Sequence, residues 1–326
     1  GAGAGALKMG CAASGIGLGA CRELDTNFQL GSKLGQGSFG EVRMLRSGAN
    51  DEGRAVKVVP LHRSGSRSCE SADEIAGDNL EMERSSSVDK DLLKQAHEEA
   101  RIWRAIGRSE YCVELFVAFE KDLTYYMVME RCESSLHDAQ KELSQLPDFR
   151  IADIFRQMVL GLSHLHRLRI AHRDVKPANF LLGGPSGEGV KLCDFGLATV
   201  VPRARLLLGC FGTAPCMSPE MVGDIGHDLS TDIWSLGVTV YELLFEELPY
   251  RPSERRASGN TDAVKKCILL GVPAPLYAAR ESRRKPSELA TAFARTLLRR
   301  CVPKRRLAVQ QVLHLPFLRR HPSSNL

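Results

Sequence analysis

One short loop between apolar flanks constrains this chain more than any other stretch. From Ile170 to Leu182 the sequence reads IAHRDVKPANFLL, which sets Asp174, Lys176 and Asn179 close together between two hydrophobic runs. A second carboxylate, Asp194, follows in the run KLCDFG, at the end of a strand-like stretch and before a flexible glycine. Hard oxygen ligands beside a lysine are suited to handling phosphate together with a divalent cation.

The order of these motifs resembles the catalytic loop and the Asp-Phe-Gly metal site of eukaryotic protein kinases. The resemblance implies an α+β, bilobal protein-kinase-like fold over residues 28–320. A small lobe with a five-stranded antiparallel sheet and a C-helix would occupy 28–132, and a larger, mostly helical lobe would occupy 133–320. Residues 1–27 are expected to form a low-complexity flexible tail, and 321–326 a short tail.

Composition limits the remaining choices. The chain has 326 residues, 43% of them hydrophobic, which is long for one compact core and suits two lobes. The net charge of +5 is mild and gathers after residue 280, so a solvated face or an acidic partner is favoured over nucleic acid. Ten cysteines without a CxxC pair or Cys/His metal spacing indicate reduced thiols, hence a cytoplasmic protein. No run reaches the roughly 18 apolar residues of a transmembrane segment.

The N-terminal tail contains one pattern of a different kind. Residues Met9 to Ser14 read MGCAAS, which matches the N-myristoylation pattern and offers Cys11 for a second lipid. The modification requires Met9 to be the true start, because the acylated amine of Gly10 must be N-terminal. Otherwise the segment is a flexible tail, so membrane contact is predicted only for the acylated case.

A glycine-rich run near the start of the small lobe indicates a hairpin over phosphates. The run from Gly35 to Gly40 reads GQGSFG and leads into Val42 instead of a helix, which disfavours a Rossmann turn. Glycines there would let backbone amides approach phosphate oxygens. The β-branched run Arg54 to Val59 follows and surrounds Lys57. A lysine in an apolar strand is costly unless it is paired, so Lys57 is either a snorkelling edge residue or an ion-pair partner.

A helix is predicted after an insertion. Residues 62–90 are rich in Ser, Gly, Asp and Glu and are interpreted as a disordered insertion. From Asp91 to Ile106 apolar residues recur at helical spacing with charges opposite them. Resemblance to the kinase C-helix makes Glu99 the partner of Lys57, with Glu98 as the rival that should then face solvent.

The resemblance also assigns residues to an ATP site. Met129 would lie at the back of an adenine pocket, whose floor is Leu181, and backbone groups of Glu130 and Cys132 would bind adenine. The full set implied for the nucleotide is Leu34, Gly35, Gln36, Gly37, Ser38, Phe39, Gly40, Val42, Ala55, Lys57, Glu99, Met129, Glu130, Cys132 and Leu181.

The catalytic loop supplies the predicted chemistry. Asp174 would orient a substrate hydroxyl and accept its proton, and Lys176 would steady the phosphoryl charge. Asn179 and Asp194 would bind Mg²⁺ through hard oxygens. The plain alternative is that Asp174 and Asp194 cap turns. The kinase interpretation requires Lys57 and these groups to converge around the terminal phosphate of one nucleotide.

The segment that follows departs from the family pattern. Arg173 in the family receives a phosphate from this segment, yet residues 200–212 contain no Ser, Thr or Tyr. The sequence therefore predicts activity without phosphorylation there, with Arg203 and Arg205 solvated or partner-binding. Lys176 together with Thr213 resembles serine/threonine kinases, and the run GTAPCMSPE resembles the family's substrate-docking end.

Further family positions lie in the large lobe. Asp232, in a long apolar helical run, would hold the catalytic-loop backbone, and Glu220 would pair with Arg306. The large lobe looks most like calcium/calmodulin-dependent-type kinases. Glu242 and its acidic neighbours favour a basic protein substrate, although an exposed acidic helix end explains them equally well.

Three functions compete on this sequence. The first is an active protein serine/threonine kinase, acting as a monomer on a protein substrate by direct in-line transfer. The second is a pseudokinase-type nucleotide-binding scaffold, and the third is a small-molecule kinase of related fold. The docking element and the complete catalytic set favour the first.

Overall fold

The computed structural model describes residues 28–37, 40–47, 53–62, 88–184, 189–252, 260–278, 285–300 and 306–319. The predicted tails, including the acylation pattern at Met9, and most of the predicted insertion at 62–90 lie outside the described residues. Two compact units are formed. The smaller contains the described residues up to Arg101 together with Phe116–Met129, and the larger contains Ile102–Leu115 together with the described residues from Glu130 onward.

The smaller unit is built on a five-stranded antiparallel sheet, as predicted. Its strands are β1 (Phe28–Gln36), β2 (Glu41–Ser47), β3 (Arg54–Pro60), β4 (Leu115–Lys121) and β5 (Thr124–Glu130), in the order β1-β2-β3-β5-β4. Leu45, Val56 and Val128 form a buried cluster on this sheet. The β-branched residues of β3 fit the pleated, buried surface of a central strand.

Helix α1 (Lys90–Ile106) follows β3 in the chain and begins one residue before the predicted start. Asp89 caps it, because its Oδ1 accepts the backbone N–H groups of Asp91 at 2.9 Å and Leu92 at 3.2 Å. A side-chain acceptor at this position satisfies donors that the first turn leaves open. The cap therefore fixes where α1 begins.

The larger unit is mainly helical. It contains β6 (Ser134–Ser135), α2 (Gln140–Leu143), α3 (Asp148–Arg167), β7 (Ile170–Ala171), β8 (Phe180–Gly183), β9 (Gly189–Leu192), β10 (Thr199–Val200), α4 (Pro219–Val222), α5 (Ser230–Phe245), α6 (Thr261–Leu270), α7 (Glu288–Leu297), α8 (Val309–Val312) and α9 (Pro316–Arg319). The strands form two small sheets, β6-β8-β9 and β7-β10. Helix α5 is buried along most of its length, as its apolar sequence predicts.

Residues 102–115 belong to the larger unit. The reason is a set of hydrogen bonds to β9: Val113 N donates to Leu192 O at 2.9 Å, and Leu192 N donates to Tyr111 O at 2.9 Å. Trp103 is buried there as well and donates its Nε1 proton to Val113 O at 2.7 Å. The end of α1 and the segment after it are therefore held by the larger unit.

Candidate active site

The glycine-rich run forms the tight turn between β1 and β2. Gly35 lies opposite Val42 and Gln36 opposite Glu41 in an antiparallel register, and Gly37 N donates to Gly40 O at 2.8 Å. A Cβ atom on Gly40 would lie 2.2 Å from Val58 O, so only glycine fits there. The run is thus a hairpin turn and not a strand-to-helix turn. Ser38 and Phe39, which belong to the same run, lie outside the described residues.

Lys57 is paired with Glu99. Its Nζ lies 2.6 Å from Glu99 Oε1, and the side chains are 3% and 0% exposed. Glu98, by contrast, is exposed and bonds Arg101 at 2.6 and 2.8 Å. Lys57 is therefore not a snorkelling edge residue, and the capped register of α1 selects Glu99 as its partner. Gly37 adjoins the pair, since a Cβ there would lie 2.9 Å from Lys57 Cε.

Asp174 is surrounded by hydrogen-bond donors. Its Oδ1 accepts from Thr213 N at 2.9 Å and from Thr213 Oγ1 at 2.7 Å. Its Oδ2 accepts from Lys176 Nζ at 2.8 Å and from Asn179 Nδ2 at 3.2 Å. Lys176 also reaches Thr213 Oγ1 at 3.1 Å. The Asp174 carboxylate therefore joins two segments that are distant in sequence, which is more than the capping of one turn.

Asp232 holds the backbone of the same loop. The fully buried carboxylate accepts His172 N and Arg173 N, each at 2.9 Å, and lies 2.9 Å from His166 Nε2. Burial alone would raise the pKa of Asp232, but the hydrogen bond and charge of His166, with His172 and the Arg173 amide, outweigh it and hold the pKa below its ordinary value. An anionic Asp232 therefore fixes the two residues that precede Asp174.

The two predicted metal ligands lie on adjoining backbone. Cys193 N donates to Asn179 O at 2.9 Å, and Asp194 follows Cys193 with a positive φ of 59°. Asn179 Nδ2 donates to Asp174 O at 2.8 Å, which leaves its amide oxygen as the atom able to bind a cation. Among the described residues no group of three or more His, Cys, Asp or Glu could hold a metal by itself. One carboxylate oxygen and one amide oxygen fit Mg²⁺, because this ion usually takes only one or two ligands from a protein and the others from phosphate and water.

Phe195, next to Asp194, is packed between two aromatic neighbours. Its ring contacts Trp103 at a centroid distance of 5.3 Å and His172 at 5.6 Å, both in edge-on arrangements. His172 is completely buried, and its Nε2 lies 2.9 Å from Cys193 O. His172 is therefore a packed core residue, and it anchors the residue before Asp194.

The residues predicted to contact adenine are divided between the two units. In the smaller unit Leu34 is exposed, Val42 faces Lys57 across the β2–β3 pair, and Ala55 and Met129 are buried. In the larger unit Leu181 lies in β8, opposite Lys191 of β9. Burial raises the pKa of Cys132 to about 12, so its thiol is neutral. The roles assigned to these residues stay predictions.

Residues 212–220, called the docking segment below, are bound to the helices of the larger unit by an ion pair and by hydrogen bonds. Glu220 accepts Arg306 Nη1 at 2.5 Å and Nη2 at 3.0 Å, and both side chains are buried, which confirms the predicted ion pair. The hydroxyl of Ser218 lies 2.8 Å from Thr231 Oγ1. Ser235 Oγ donates to Cys216 O at 2.7 Å. Hydroxyl groups at the start of α5 therefore hold this segment.

Two supporting residues were missed from the sequence. Lys191 pairs with Glu130 at 2.9 Å, and His166 is the buried partner of Asp232. A lysine in the apolar strand β9 carries the same signal that singled out Lys57, because an unpaired cation there would be costly. For His166 the only signal was a histidine on the buried face of α3.

The predicted residues thus form two groups, one in each unit. Lys57, Glu99 and the glycine turn are brought together in the smaller unit. Asp174, Lys176 and Asn179 are brought together in the larger unit, with Asp194 one residue beyond a backbone contact to Asn179. Among the described residues, no helix has the length and hydrophobicity that a bilayer crossing requires.

Comparison with known proteins agrees with this geometry. The family description "Protein kinase domain" matches residues 28–318. Serine/threonine-protein kinase GIN4 of Saccharomyces cerevisiae is 28% identical over 301 residues, covering 91% of this chain and 24% of GIN4. Serine/threonine-protein kinase 36 of Mus musculus is 29% identical over 288 residues, covering 87% of this chain and 19% of that protein. Aurora kinase of Schizosaccharomyces pombe is 27% identical over 298 residues, covering 91% and 73%.

The chain therefore spans about a quarter or less of the length of two of these relatives. The calcium/calmodulin-dependent subgroup is not confirmed by the comparisons and stays a prediction. Because the family match covers nearly all of the described residues and each unit has the predicted α+β elements, this chain belongs to the protein kinase family.

Proposed function

We propose that this chain is a protein serine/threonine kinase that transfers the γ-phosphoryl group of ATP to a Ser or Thr hydroxyl of a protein. The observation that carries the proposal is the arrangement of donors around Asp174. Thr213, from the docking segment, and Lys176 and Asn179, from the catalytic loop, all contact the same carboxylate. A carboxylate held in this way can receive a hydroxyl group in a fixed orientation.

Asp174 would accept the proton of the substrate hydroxyl. A carboxylate offers about four lone-pair positions, the number of donors that contact Asp174 here. An incoming hydroxyl must therefore replace one donor, and we expect it to replace Lys176, whose side chain is 27% exposed and ends in a flexible ammonium group. The Lys176 ammonium would then turn toward the transferred phosphoryl group and balance its charge.

Lys57 and the two oxygen ligands would hold the triphosphate. Lys57, paired with Glu99, presents a fixed positive charge beside the glycine turn. Asn179 and Asp194 would hold Mg²⁺, which supplies neutralisation of the phosphate charge when it is bound. The family as a whole uses ATP and Mg²⁺.

We further propose direct in-line transfer without a covalent enzyme intermediate. No nucleophilic side chain is needed, because positioning and electrostatics dominate phosphoryl transfer. A test is rapid-quench analysis with labelled ATP in the absence of protein substrate. Label trapped on Asp174, and passed on to substrate at the turnover rate, would contradict direct transfer.

The main test compares the wild-type chain with Asp174→Asn. Phosphate transfer from Mg-ATP to a generic protein substrate should fall by about 10²–10⁴-fold, because the proton acceptor is lost. Asp262→Asn, an exposed change in the first turn of α6, serves as the matched control and should leave the rate unchanged. Equal rates for wild type and Asp174→Asn would favour the pseudokinase-type scaffold.

Four further properties are proposed from the sequence alone. They are the preference for a basic protein substrate, the cytoplasmic location, the monomeric state and acylation at Gly10 if Met9 is the start. The first rests on the acidic residues Glu242, Glu246 and Glu247, and a peptide array with basic residues varied around the target serine would test it.

A further inference from the structure

The side chain of Arg173, the residue before Asp174, is held by a hydrogen bond to a backbone carbonyl group. Its Nε donates to Leu197 O at 2.7 Å, and its own amide donates to Asp232 Oδ1 at 2.9 Å. Its φ is positive, 65°, a conformation that persists only where surrounding contacts enforce it. Burial lowers the pKa of Arg173 and Asp232 opposes that effect, so the guanidinium lies in a partly desolvated place. A cation in such a place needs a partner.

That partner is an aromatic ring. The Arg173 guanidinium carbon lies 4.0 Å from the centroid of the Phe211 ring. Among the described residues, no carboxylate makes an ion pair with the Arg173 side chain. The face of an aromatic ring carries partial negative charge and attracts a cation, more strongly when water is excluded. Phe211 therefore takes the place at Arg173 where an anion would otherwise be expected.

Phe211 opens a three-residue contact with the catalytic loop. Its ring covers Arg173, Gly212 follows, and Thr213 donates to Asp174 Oδ1 from both N and Oγ1. Gly212 has a φ of 91°, and a Cβ there would lie 2.2 Å from Arg173 O. Successive residues of the segment thus contact successive residues of the loop, so the position of Phe211 sets the register in which Thr213 meets Asp174.

The preceding part of the segment is held without any charged modification. Leu207 and His227 exchange backbone hydrogen bonds at 2.8 and 2.9 Å. Gly209 N donates to Asp224 Oδ1 at 2.7 Å, and Cys210 Sγ lies 3.0 Å from Met221 O. Since residues 200–212 contain no Ser, Thr or Tyr, no hydroxyl of this stretch can carry a phosphate. The contacts of Leu207, Gly209 and Cys210 therefore hold this stretch in place without a phosphate group.

We propose that Phe211 is a positioning residue for phosphoryl transfer: through Arg173 it holds Thr213 on Asp174, so that the segment is set for catalysis without a phosphate group. Its effect on turnover rests on the proposed kinase function, whereas its effect on the Thr213 contact does not. Phe211 itself does not touch the reacting atoms.

The kinetic test uses the full chain after phosphatase treatment. Phe211→Leu and Phe211→Met keep apolar bulk but remove the ring face, so kcat should fall by about 2- to 30-fold while KM for ATP stays unchanged. Phe211→Tyr retains the ring and should keep kcat within about twofold of wild type. Phe116→Leu is the matched control: it removes the ring 5.5 Å from Arg54 in the smaller unit and should leave kcat unchanged.

A second measurement does not depend on activity. Hydrogen exchange of the Thr213 amide, followed by mass spectrometry, should speed up by about 2- to 30-fold in Phe211→Leu or Phe211→Met, but not in Phe211→Tyr or Phe116→Leu. If one loss variant does not fold, the other decides by the same criteria. Unchanged exchange overturns the proposal, and so does an unchanged kcat. If wild type and Asp174→Asn transfer phosphate equally, the proposed kinase function is refuted. The exchange rate of the Thr213 amide then tests the role of Phe211 by itself.

Discussion

Replacing Asp232 by Asn is the sharpest test of how the catalytic loop is held. The carboxylate is completely buried, and it receives three donors: the amides of His172 and Arg173 and the ring of His166. Asn keeps the shape but offers one acceptor oxygen and one NH₂ group. Its best orientation keeps the oxygen toward His172 and His166, so the NH₂ group faces the amide of Arg173.

The cost of Asp232→Asn follows from these contacts. One buried amide, that of Arg173, is left without an acceptor, which costs about 1–3 kcal/mol. The other two hydrogen bonds change from charged to neutral acceptors and each weakens by about 1 kcal/mol. We therefore expect a loss of about 3–5 kcal/mol in the free energy of unfolding of the larger unit. For a unit of this size that lowers Tm by about 6–20 °C.

The same change predicts a pH dependence. Because the pKa of Asp232 is lower in the folded state, its contribution to stability is complete above the unfolded-state value of about 3.9. It is lost as the pH falls through the lower, folded-state pKa. The difference in stability between wild type and Asp232→Asn should therefore be constant near neutral pH and shrink below about pH 4.

Urea unfolding followed by tryptophan fluorescence measures this difference. Trp103 and Trp234 are both buried in the larger unit, so their emission reports on it. Asp122→Asn is the matched control, since Asp122 is exposed at a positive φ of 48°, which Asn tolerates. The control should lie within about 0.5 kcal/mol of wild type. A difference below about 1 kcal/mol for Asp232→Asn, or one that does not shrink in acid, would refute the reasoning.

Two further changes test other contacts. Glu220→Gln leaves the buried Arg306 guanidinium without its anion and should cost about 3–5 kcal/mol in urea unfolding; a cost below about 1 kcal/mol would show that the pair is dispensable. Gly40→Ala places a Cβ 2.2 Å from Val58 O and should raise KM for ATP by about 5- to 100-fold, because the turn must shift; an unchanged KM would show that the turn tolerates a side chain at this position.

The parts of the site that the sequence predicted are those set by local periodicity or by chain order. The helical pattern from Asp91 predicted a helix with one buried face, whereas the choice of Glu99 over Glu98 as the partner of Lys57 was implied by the resemblance. The glycine run followed by Val42 predicted a hairpin, which the register of β1 and β2 confirms. The apolar run around Asp232 predicted a buried helix. Each of these predictions needs only neighbours within a turn or a strand.

Partners that are distant in sequence were harder to predict. Glu130 and Lys191 are 61 residues apart, and His166 and Asp232 are 66 apart. A burial pattern shows that each buried charge needs a partner but does not say which residue the fold brings to it. The resemblance supplied the Lys57 and Glu220 pairs because their positions lie in recognisable motifs, whereas the motifs assign no partner to Lys191 or to His166.

The segment 200–212 shows the same limit most clearly. Its lack of hydroxyl residues establishes which contact Arg173 cannot make, namely one with a phosphate carried by that stretch. It does not establish what replaces the phosphate, because the approach of Phe211 depends on the backbone on either side of it. Gly209 and Gly212, with φ values of 90° and 91°, make that path possible, and it brings the ring of Phe211 over the guanidinium of Arg173. A cation beside a catalytic carboxylate can therefore be held by an aromatic face, and the choice between ring and phosphate is decided by chain path as much as by composition.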